Sequence, residues 1–377
     1  MTLTPAERAR YQRHLALPEI GAPGQEKLKA ARVLIVGAGG LGSPAALYLA
    51  AAGCGTLGLL DFDRVEVSNL QRQVLFDTAG LAQPKAEAGR ERLARLNPEI
   101  RVVAHALELK AANVRAVFAD YDLILDGSDR LSTRYLVNDA CVIYGKPLVS
   151  AAIHRFEGQI MTYVPGRGPC YRCLFPEAPD GVVANCAEAG VLGVLPGVLG
   201  TLQATEAIKL ITHTGTPLIG RLLVYDALEL RFSEFRVERR RDCAVCGETP
   251  MITEPRDPKP PQAADAPRDG IGRLSAPGLK ALLDSGAAAA PHLIDVREPW
   301  EFDTGHLPQA LNIPTSEFAQ RLGELPRAGT TVFICRSGGR SLRACEMALK
   351  AGVGKPVNLE GGMLAWAAQV DPTMPVA

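Results

Sequence analysis

Residues 32–43 read RVLIVGAGGLGS, and this stretch decides the fold of the first part of the chain. Residues 33–36 are a short β-rich apolar run, and a glycine-rich turn follows them directly. Ser43 is placed to cap the next helix, Pro44 to start it and Gly53 to end it. A strand, a glycine turn and a helix N-terminus together form a phosphate cradle of free backbone N–H groups. The glycines of this cradle are Gly37, Gly39, Gly40 and Gly42.

An acidic residue follows the second predicted strand. Residues 57–60 form that strand, and it ends at Asp61, about twenty residues beyond the glycine turn, where a carboxylate can hold a ribose hydroxyl. A glycine-rich turn alone is a weak signal and can exist without a ligand. With a strand before it, a helix after it and the acid in place, the stretch predicts a nucleotide-binding βαβ unit.

Composition limits the remaining possibilities. The chain has 377 residues, 47% of them hydrophobic, with 41 basic and 41 acidic side chains, so we expect two globular domains and no general nucleic-acid or membrane-surface binding. The first fifteen residues lack the apolar core of a signal peptide. The apolar run 191–199 is short and is broken by glycine and proline. Cytoplasmic localisation is therefore the expectation.

Polar residues follow the second strand, where ligands of doubly wound sheets bind. Asp63 could help to hold a ribose or a cation, and Asn69, Arg72 and Gln73 come next in the sequence. An arginine there could bind phosphates bidentately. Lys85 opens the next predicted helix and could reach the same phosphates, although a single lysine is more often a surface residue.

The next strand, residues 121–126, ends in a second pair of acids. Asp126 and Asp129 lie three residues apart at the strand end, a spacing that suits Mg²⁺, which takes one or two carboxylates plus phosphate oxygens and water. Hydride transfer by a nicotinamide enzyme needs no metal to bridge phosphates. This pair therefore counts against a nicotinamide-dependent dehydrogenase.

Two C-x-x-C hooks form the second strong motif. Cys170 with Cys173 and Cys243 with Cys246 have the pattern of a tetrahedral zinc site, although about seventy residues separate the hooks. The alternatives are four unrelated thiols or a redox pair. Four thiolates leave no open position, so the predicted zinc is structural. The neighbouring residues 239–241, three arginines, are expected to be a solvated segment.

Other cysteines carry weaker signals. Cys186 stands between a loop-like stretch and an apolar one, and it is either a nucleophile near a helix N-terminus or a small buried hydrophobe. The residues alone leave that choice open. Cys54, Cys141 and Cys345 are expected to be buried hydrophobes.

The chain changes composition near residue 249. Residues 249–271 are proline-rich and predict a semi-extended linker between a first domain, 1–248, and a second, 272–377. The second domain is expected to be a small α/β unit with strands over 292–296 and 331–334.

The predicted strand 331–334 runs into CRSGGRS, residues 335–341. Backbone N–H groups of such a loop converge on the sulfur and favour a thiolate or an anionic persulfide at Cys335. Only four residues separate Cys335 from Arg340, which gives a tighter ring than the phosphatase loop with five.

These motifs resemble two known families. The first domain is similar to the MoeB/ThiF family, bacterial relatives of ubiquitin-activating enzymes, in GAGGLGS, DFDRVEVSNLQRQ, Pro84-Lys85, the paired acids and the two hooks. The second is similar to rhodanese domains in DVREPWEFDTGHLPQALNIP and CRSGGRS. The resemblance implies an α/β fold with a Rossmann-like adenylation domain, a mixed sheet and structural zinc, plus a small α/β rhodanese domain.

The resemblance also implies roles for single residues. The four glycines would shape an ATP site with Asp61 on the ribose, and Asp129 would hold Mg²⁺. Residues that would position the triphosphate are Asp63, Asn69, Arg72 and Lys85. By its position in the predicted helical stretch 4–30, Arg13 is expected to be a solvated charge. The resemblance instead implies that Arg13 reaches the phosphates of the other subunit, and it therefore implies a homodimer. Cys335 matches the persulfide cysteine, Cys186 the loop cysteine, and Arg130 departs from the asparagine usual in relatives.

The implied function is adenylation of a ubiquitin-like sulfur carrier ending in Gly-Gly, followed by sulfur transfer to form its thiocarboxylate. The sulfur donor would be thiosulfate or a cysteine desulfurase persulfide. The carrier could serve molybdopterin, thiamine, cysteine or siderophore-type biosynthesis, or tRNA thiolation. Two alternatives are an NAD-dependent oxidoreductase and a non-catalytic ubiquitin-like-binding or sulfur-sensing scaffold. The oxidoreductase alternative gives no reason for Arg72, Lys85 or the rhodanese loop, and the intact candidate residues argue against a non-catalytic scaffold.

Overall fold

A computed structural model describes residues 2–177, 190–257, 270–285 and 290–376. The chain divides into two compact units, Met1–Pro260 and Pro261–Ala377. Helices of the first unit are α1 (Pro5–Arg10), α2 (Gln12–Leu15), α3 (Gly21–Ala30), α4 (Gly42–Ala51), α5 (Lys85–Leu96), α6 (Ala111–Ala119), α7 (Leu131–Ile143), α8 (Tyr171–Leu174) and α9 (Leu195–Thr212). Its strands are β1 (Arg32–Val36), β2 (Thr56–Leu60), β3 (Arg101–His105), β4 (Leu123–Asp126), β5 (Leu148–His154), β6 (Glu157–Tyr163), β7 (Arg221–Asp226) and β8 (Arg231–Arg236).

These strands form one sheet in the order β3-β2-β1-β4-β5-β6-β7-β8. The first five strands in this order pair in parallel, and β5 to β8 pair antiparallel. Alternate residues of β1 face opposite sides because side chains alternate along a strand. Val33 and Ile35 join the core beneath α4, α5 and α9, while Leu34 and Val36 join the core beneath α6 and α7. The predicted mixed sheet is confirmed.

Local predictions around β1 need two corrections. The stretch 4–30 is helical but is divided into α1, α2 and α3. Ser43 does not cap α4: the helix begins one residue earlier, and the Ser43 hydroxyl donates to the carbonyl oxygen of Ala38 at 3.0 Å, bracing the glycine turn instead. Gly53 does follow the end of α4, with a φ of 82° that favours glycine. The strands after Asp120 and before Cys335 also differ from prediction by one or two residues.

The second unit is a five-stranded parallel sheet. Its strands are β9 (Gly272–Leu274), β10 (His292–Asp295), β11 (Ala310–Asn312), β12 (Thr330–Ile334) and β13 (Lys355–Leu359), and its helices are α10 (Ala276–Asp284), α11 (Pro299–Thr304), α12 (Gly339–Lys350) and α13 (Gly362–Gln369). The strand order is β11-β10-β12-β13-β9. Val332 and Ile334 face one core, and Phe333 and Cys335 face the other. The expected small α/β unit is confirmed.

None of the helices in the described residues combines the length and the apolar character that crossing a bilayer requires.

Candidate functional site

The first unit has a cavity of about 380 Å³ at the carboxyl ends of its parallel strands. This is where ligands bind in open α/β sheets, because the loops that leave neighbouring strands diverge there. The sequence-predicted residues that line it are Gly37, Gly39, Gly40, Asp61, Asp63, Arg72, Lys85 and Asp129. Separate strands and loops of the sheet edge thus bring the predicted nucleotide-site residues together.

The glycine turn is built for close backbone approach. Gly37 has a φ of 87°, which strongly favours glycine, and a Cβ there would meet the carbonyl oxygen of Gly127 at 2.9 Å. Gly42 is outside the cavity lining, but a Cβ on it would overlap the carbonyl oxygen of Gly37. The turn can therefore pack this closely against the loop after β4 and against the start of α4 only because these positions have no side chain.

Asp61 lies at the end of β2 and faces the turn. Its carboxylate accepts hydrogen bonds from the backbone N–H groups of Ala38 and Asp63, each at 2.9 Å. Burial raises the pKa of Asp61, and the charge of Lys85 opposes that rise. Each carboxylate oxygen can accept more than one hydrogen bond. Asp61 therefore has acceptor capacity left for ribose hydroxyls.

Two cations reach the cavity from the loops after β2. Lys85 begins α5, its side chain is only 6% exposed, and its Nζ lies 3.3 Å from a carboxylate oxygen of Asp63, which is 51% exposed. Arg72 is half-buried and donates to the carbonyl oxygen of Ser68 at 3.1 Å. Partial burial strengthens the attraction of both groups for phosphate because water screens them less.

Asn69 is placed differently from the other predicted residues. It is not among the residues that line the cavity, and its side-chain oxygen accepts from the backbone N–H of Glu66 at 3.1 Å. The backbone carbonyl oxygen of Asn69 accepts hydrogen bonds from the backbone N–H groups of Arg72 and Gln73. Asn69 therefore shapes the loop that carries Arg72.

The two acids at the end of β4 have separate surroundings, contrary to their prediction as a shared metal pair. Asp126 is fully buried, and its carboxylate accepts from the Ser128 hydroxyl at 2.6 Å and lies 3.6 Å from the guanidinium of Arg134. Asp129 is exposed and lines the cavity. Because internal partners occupy Asp126, Asp129 is the acid of this pair that could hold Mg²⁺ beside bound phosphates.

Sequence reasoning did not assign several side chains that line the cavity. The guanidinium of Arg130 lies 4.5 Å above the ring of Phe62 and 3.3 Å from the carboxylate of Glu108. Arg134 reaches the cavity from the first turn of α7. Arg130 and Glu108 follow different strands, so only the tertiary fold brings them together. Arg134 did have a sequence signal, because it is a basic residue in the first helical turn after the acid that ends a strand.

Two predicted residues lie apart from this cavity or outside the structure. Arg13 is exposed on α2 and is absent from the cavity lining of its own chain. Cys186 lies outside the described residues, so its prediction stays untested.

The two cysteine hooks come together in the first unit. The sulfur atoms of Cys170, Cys173, Cys243 and Cys246 all lie within 4.8 Å of one another. The Cys170–Cys243 distance is 3.7 Å and the Cys173–Cys246 distance is 3.4 Å. Sulfurs about 2.3 Å from a tetrahedral zinc ion are about 3.8 Å apart, so the cluster fits zinc.

The cluster has supporting contacts that the sequence did not predict. The backbone N–H of Arg240 donates to the sulfur of Cys173 at 3.5 Å, and the guanidinium of Arg239 donates to the carbonyl oxygen of Cys246. Arg239 and Arg241 are exposed, as predicted for this segment, but Arg239 and Arg240 also contact the cluster. Donors of this kind orient metal ligands and offset their negative charge.

Cys54, Cys141 and Cys345 are buried, as predicted. Burial raises the pKa of the Cys54 and Cys345 thiols to about 12. Both are therefore uncharged thiols at neutral pH and poor nucleophiles.

Cys335 of the second unit directly follows β12 and faces the loop that leads into α12. Its sulfur accepts from the backbone N–H of Gly338 at 3.1 Å, and the Ser341 hydroxyl lies 3.2 Å away. That hydroxyl is also 2.7 Å from the side-chain oxygen of Asn358, and its single proton serves one acceptor at a time. The prediction was of consecutive backbone N–H groups converging on the sulfur, and the structure shows one of them, from Gly338, together with the Ser341 hydroxyl.

Arg340 is held by an acid from another element. Its guanidinium donates to both carboxylate oxygens of Glu301 on α11, at 2.6 and 2.7 Å. Burial acts most strongly on the pKa of Glu301 and would raise it. The hydrogen bond from Arg340 and the other donors outweigh burial, so the net shift is downward. This bidentate pair fixes the loop around Cys335.

Family comparisons agree with these two sites. A profile of the ThiF family matches residues 11–245. The chain belongs to the ThiF family. A second profile, for rhodanese-like domains, matches residues 275–369, which include Cys335.

Curated relatives share this arrangement over nearly the whole chain. One, named "Probable adenylyltransferase/sulfurtransferase MoeZ", from Mycobacterium tuberculosis, is 47% identical over 383 residues, covering 99% of this chain and 96% of the relative. The adenylyltransferase and sulfurtransferase MOCS3 of Sus scrofa is 45% identical over 404 residues, covering 99% and 88%. Both names combine the two activities expected of a ThiF-family unit joined to a rhodanese-like unit.

Solved structures resemble the ThiF-family unit. E. coli MccB with MccA-N7isoASN has a TM-score of 0.58 and 27% identity, covering 63% of this chain and 75% of that one. E. coli MccB with ATP has a TM-score of 0.54 and 27% identity, covering 59% and 69%.

Proposed function

We propose that this ThiF-family enzyme adenylates the C-terminal glycine of a ubiquitin-like sulfur carrier and then transfers sulfur to it through its rhodanese-like unit. The observation that carries the proposal is one chain with two built sites: a nucleotide cavity with Lys85 and Arg72, and a donor-lined Cys335. The combined names of the MoeZ and MOCS3 relatives support it. The proposal also includes the division of the chain into an adenylation domain, residues 1–248, a linker, residues 249–271, and a rhodanese domain, residues 272–377.

The first step activates an inert carboxylate. A terminal oxygen of the carrier attacks the α-phosphorus of ATP, pyrophosphate leaves, and an acyl-adenylate remains. The protein supplies position and charge: the glycine turn lets the phosphates approach the backbone, and Arg72 and Lys85 stabilise negative charge on the leaving group. Asp61 holds the ribose. Mg²⁺ held by Asp129 would neutralise phosphate charge.

The second step delivers sulfur. Cys335 takes sulfane sulfur from a donor such as thiosulfate or a cysteine desulfurase persulfide. The terminal sulfur of the Cys335 persulfide attacks the acyl carbon, and AMP leaves. A second thiol then attacks the sulfur of Cys335 in the resulting acyl disulfide. This releases the thiocarboxylate and leaves an enzyme disulfide, which an external thiol reduces. We assign the second thiol to Cys186.

Three further features belong to the proposal. A structural zinc bound by the four cysteines would hold the segment around residue 243 on the domain and take no part in the reaction. A homodimer would bring Arg13 to the phosphates of the other subunit. A cytoplasmic enzyme would keep its thiols reduced.

Carrier-dependent exchange of labelled pyrophosphate into ATP tests the first step. The wild-type enzyme is expected to catalyse exchange only with a β-grasp carrier that ends in Gly-Gly, and a carrier without its last glycine is the control. Nucleotide turnover that needs no carrier would contradict the proposal. Cys186→Ala is expected to retain exchange and lose thiocarboxylate formation, whereas normal sulfur transfer would remove Cys186 from the mechanism.

A further inference from the structure

The hydroxyl of Ser341 lies within reach of three acceptors from different elements. Its oxygen is 3.2 Å from the sulfur of Cys335, directly after β12, and 2.7 Å from the side-chain oxygen of Asn358 on β13. The carbonyl oxygen of Gly338 is 3.1 Å away. Ser341 is fully buried, so water does not compete for its one proton, which is shared among these protein acceptors.

The charge of Cys335 decides which of these acceptors is the best one. A neutral thiol is a weak acceptor and an amide oxygen is a good one, so Ser341 donates to Asn358 while Cys335 is protonated. A thiolate is charged, and hydrogen bonds to charged groups are about twice as strong as neutral ones. Because the hydroxyl turns about its own C–O bond, its proton passes to the sulfur when Cys335 ionises, without movement of any heavier atom.

The charged groups around this loop do not change between pH 5 and pH 9. Arginine stays protonated at these pH values, and the arginines of this region are Arg297, Arg336 and Arg340. Asp295 pairs with Arg297 at 2.8 Å, and Arg340 holds the pKa of Glu301 below its ordinary value of 4.5. Cys345 belongs to the same core as Cys335, and burial raises its pKa to about 12. The Ser341 hydroxyl is therefore a donor that can respond to the charge of Cys335 while its surroundings stay constant.

We propose that Ser341 is a catalytic residue of the sulfurtransferase site, whose hydroxyl donates to the sulfur of Cys335 when that sulfur is anionic and to Asn358 when it is not. Asn358 acts through Ser341 and is a positioning residue. The assignment rests on the proposed function, because it requires that Cys335 carries the sulfane sulfur. It adds to that function the donor that follows the charge of the reacting sulfur.

The charge on the Cys335 sulfur changes in both halves of a thiosulfate–cyanide cycle. In uptake, the thiolate attacks the outer sulfur of thiosulfate, the S–S bond of thiosulfate breaks and sulfite leaves with the electron pair, so the negative charge moves to the outer sulfur of the persulfide. In discharge, the carbon of cyanide attacks that outer sulfur, thiocyanate leaves, and the electron pair of the broken S–S bond returns to Cys335. Ser341 therefore stabilises the reactant of uptake and the product of discharge.

Single-turnover measurements on the full chain separate the two halves. Persulfide formation at Cys335 with thiosulfate is followed by mass spectrometry between pH 5 and pH 9, and thiocyanate release from the preloaded enzyme with cyanide is followed at pH 9. Ser341→Ala removes the donor. Thr331→Val is the matched control, because Thr331 on β12 is fully buried and its hydroxyl has no hydrogen-bond partner among the residues that the structure describes. The control should behave as the wild type in both measurements.

Ser341→Ala is expected to move the pH profile of uptake to higher pH, with rates about tenfold below the wild type on its acidic side, the size of one hydrogen bond to a charged group. At pH 9 its uptake should equal or exceed that of the wild type, because a less stabilised thiolate is the better nucleophile. Its discharge at pH 9 should still be about tenfold slower. Uptake and discharge that are slowed equally at pH 9, or a wild-type rate of discharge, would overturn the assignment.

Asn358→Leu gives a second test with the opposite sign. It removes the acceptor that competes for the Ser341 proton, so the uptake profile should move to lower pH and discharge at pH 9 should be at least as fast as in the wild type. A profile that moves to higher pH, as in Ser341→Ala, would overturn the role of Asn358. A wild-type enzyme that forms no persulfide at Cys335 would instead overturn the proposed function, and the assignment of Ser341 with it.

Discussion

The backbone N–H of Ala38 donates to the carboxylate of Asp61 at 2.9 Å, which joins the glycine turn after β1 to the end of β2. The acid therefore shapes the phosphate cradle as well as facing the expected ribose. Burial raises its pKa, and Lys85 opposes that rise. The glycine turn and Lys85 are thus both coupled to the carboxylate of Asp61.

Asp129→Ala is expected to lower carrier-dependent pyrophosphate exchange by about a hundredfold or more, because it removes the exposed acid that would hold the charge-neutralising metal. The measurement is exchange at saturating Mg²⁺. Glu99→Ala, which changes an exposed acid outside the cavity lining, is the control and should exchange normally. Undiminished exchange in Asp129→Ala would remove Asp129 from the metal site.

Cys335→Ala is expected to retain pyrophosphate exchange and to lose thiosulfate sulfurtransferase activity to background, because the two sites lie in separate units. The matched control is Cys345→Ala, since Cys345 is buried in the same core as Cys335 but is a neutral thiol. Sulfurtransferase activity that survives in Cys335→Ala would contradict the assignment of the persulfide.

Cys173→Ala is expected to reduce bound zinc from one ion per chain to none and to lower the Tm by about 10 °C, because a structural metal contributes its binding free energy to folding. Elemental analysis and thermal unfolding measure the two effects. Cys141→Ala removes a buried thiol of the same core outside the cluster, and it should retain zinc. A fully metal-free wild-type protein with the same Tm would contradict the site.

Glu301→Gln is expected to destabilise the second unit at pH 7 and to reduce its sensitivity to acid. Arg340 and neighbouring donors hold the pKa of Glu301 below its ordinary value of 4.5. As the pH falls, Glu301 therefore takes up a proton in the unfolded chain before it does so in the folded one. The stabilisation that ionised Glu301 gives to the folded state is full above pH 4.5 and is lost as the pH falls through the lower folded-state pKa. Denaturant unfolding between pH 7 and pH 3 measures this effect.

The control for Glu301 is Glu317→Gln, because Glu317 is exposed and pairs with Arg321 at the surface. It should show the pH dependence of the wild-type protein. A Glu301→Gln variant with wild-type stability at pH 7 would mean that the buried ion pair contributes no net stabilisation.

The sequence predicted the parts of the structure that depend on local pattern. The apolar run before Gly37 and the acid at Asp61 predicted one site by their spacing, and both residues line the same cavity. The spacing within the two cysteine hooks predicted a second site, and the four cysteines lie together there. The helix start at Gly42 was missed because the Ser43 hydroxyl bonds backward to Ala38 and leaves no cap.

Other features depend on the tertiary fold and have no local signal. Arg130 meets Glu108 and Phe62 only because β3, β2 and β4 end at one edge of the sheet. The burial of Gln73 against the glycine turn also depends on the fold, and the separation of Asp126 from Asp129 follows from the position of Arg134 on α7. No pattern within a short window specifies the contacts of Arg130 or the burial of Gln73.

Mass spectrometry of the carrier tests the central claim most directly. A carrier ending in Gly-Gly is incubated with the enzyme, MgATP, thiosulfate and a reducing thiol. The account predicts that the carrier gains about 16 Da as its terminal carboxylate becomes a thiocarboxylate, the mass difference between sulfur and oxygen, and that the gain disappears without ATP or in Cys335→Ala. A thiocarboxylate that forms equally well without ATP, or a carrier left unchanged while Cys335 becomes persulfidated, would contradict it.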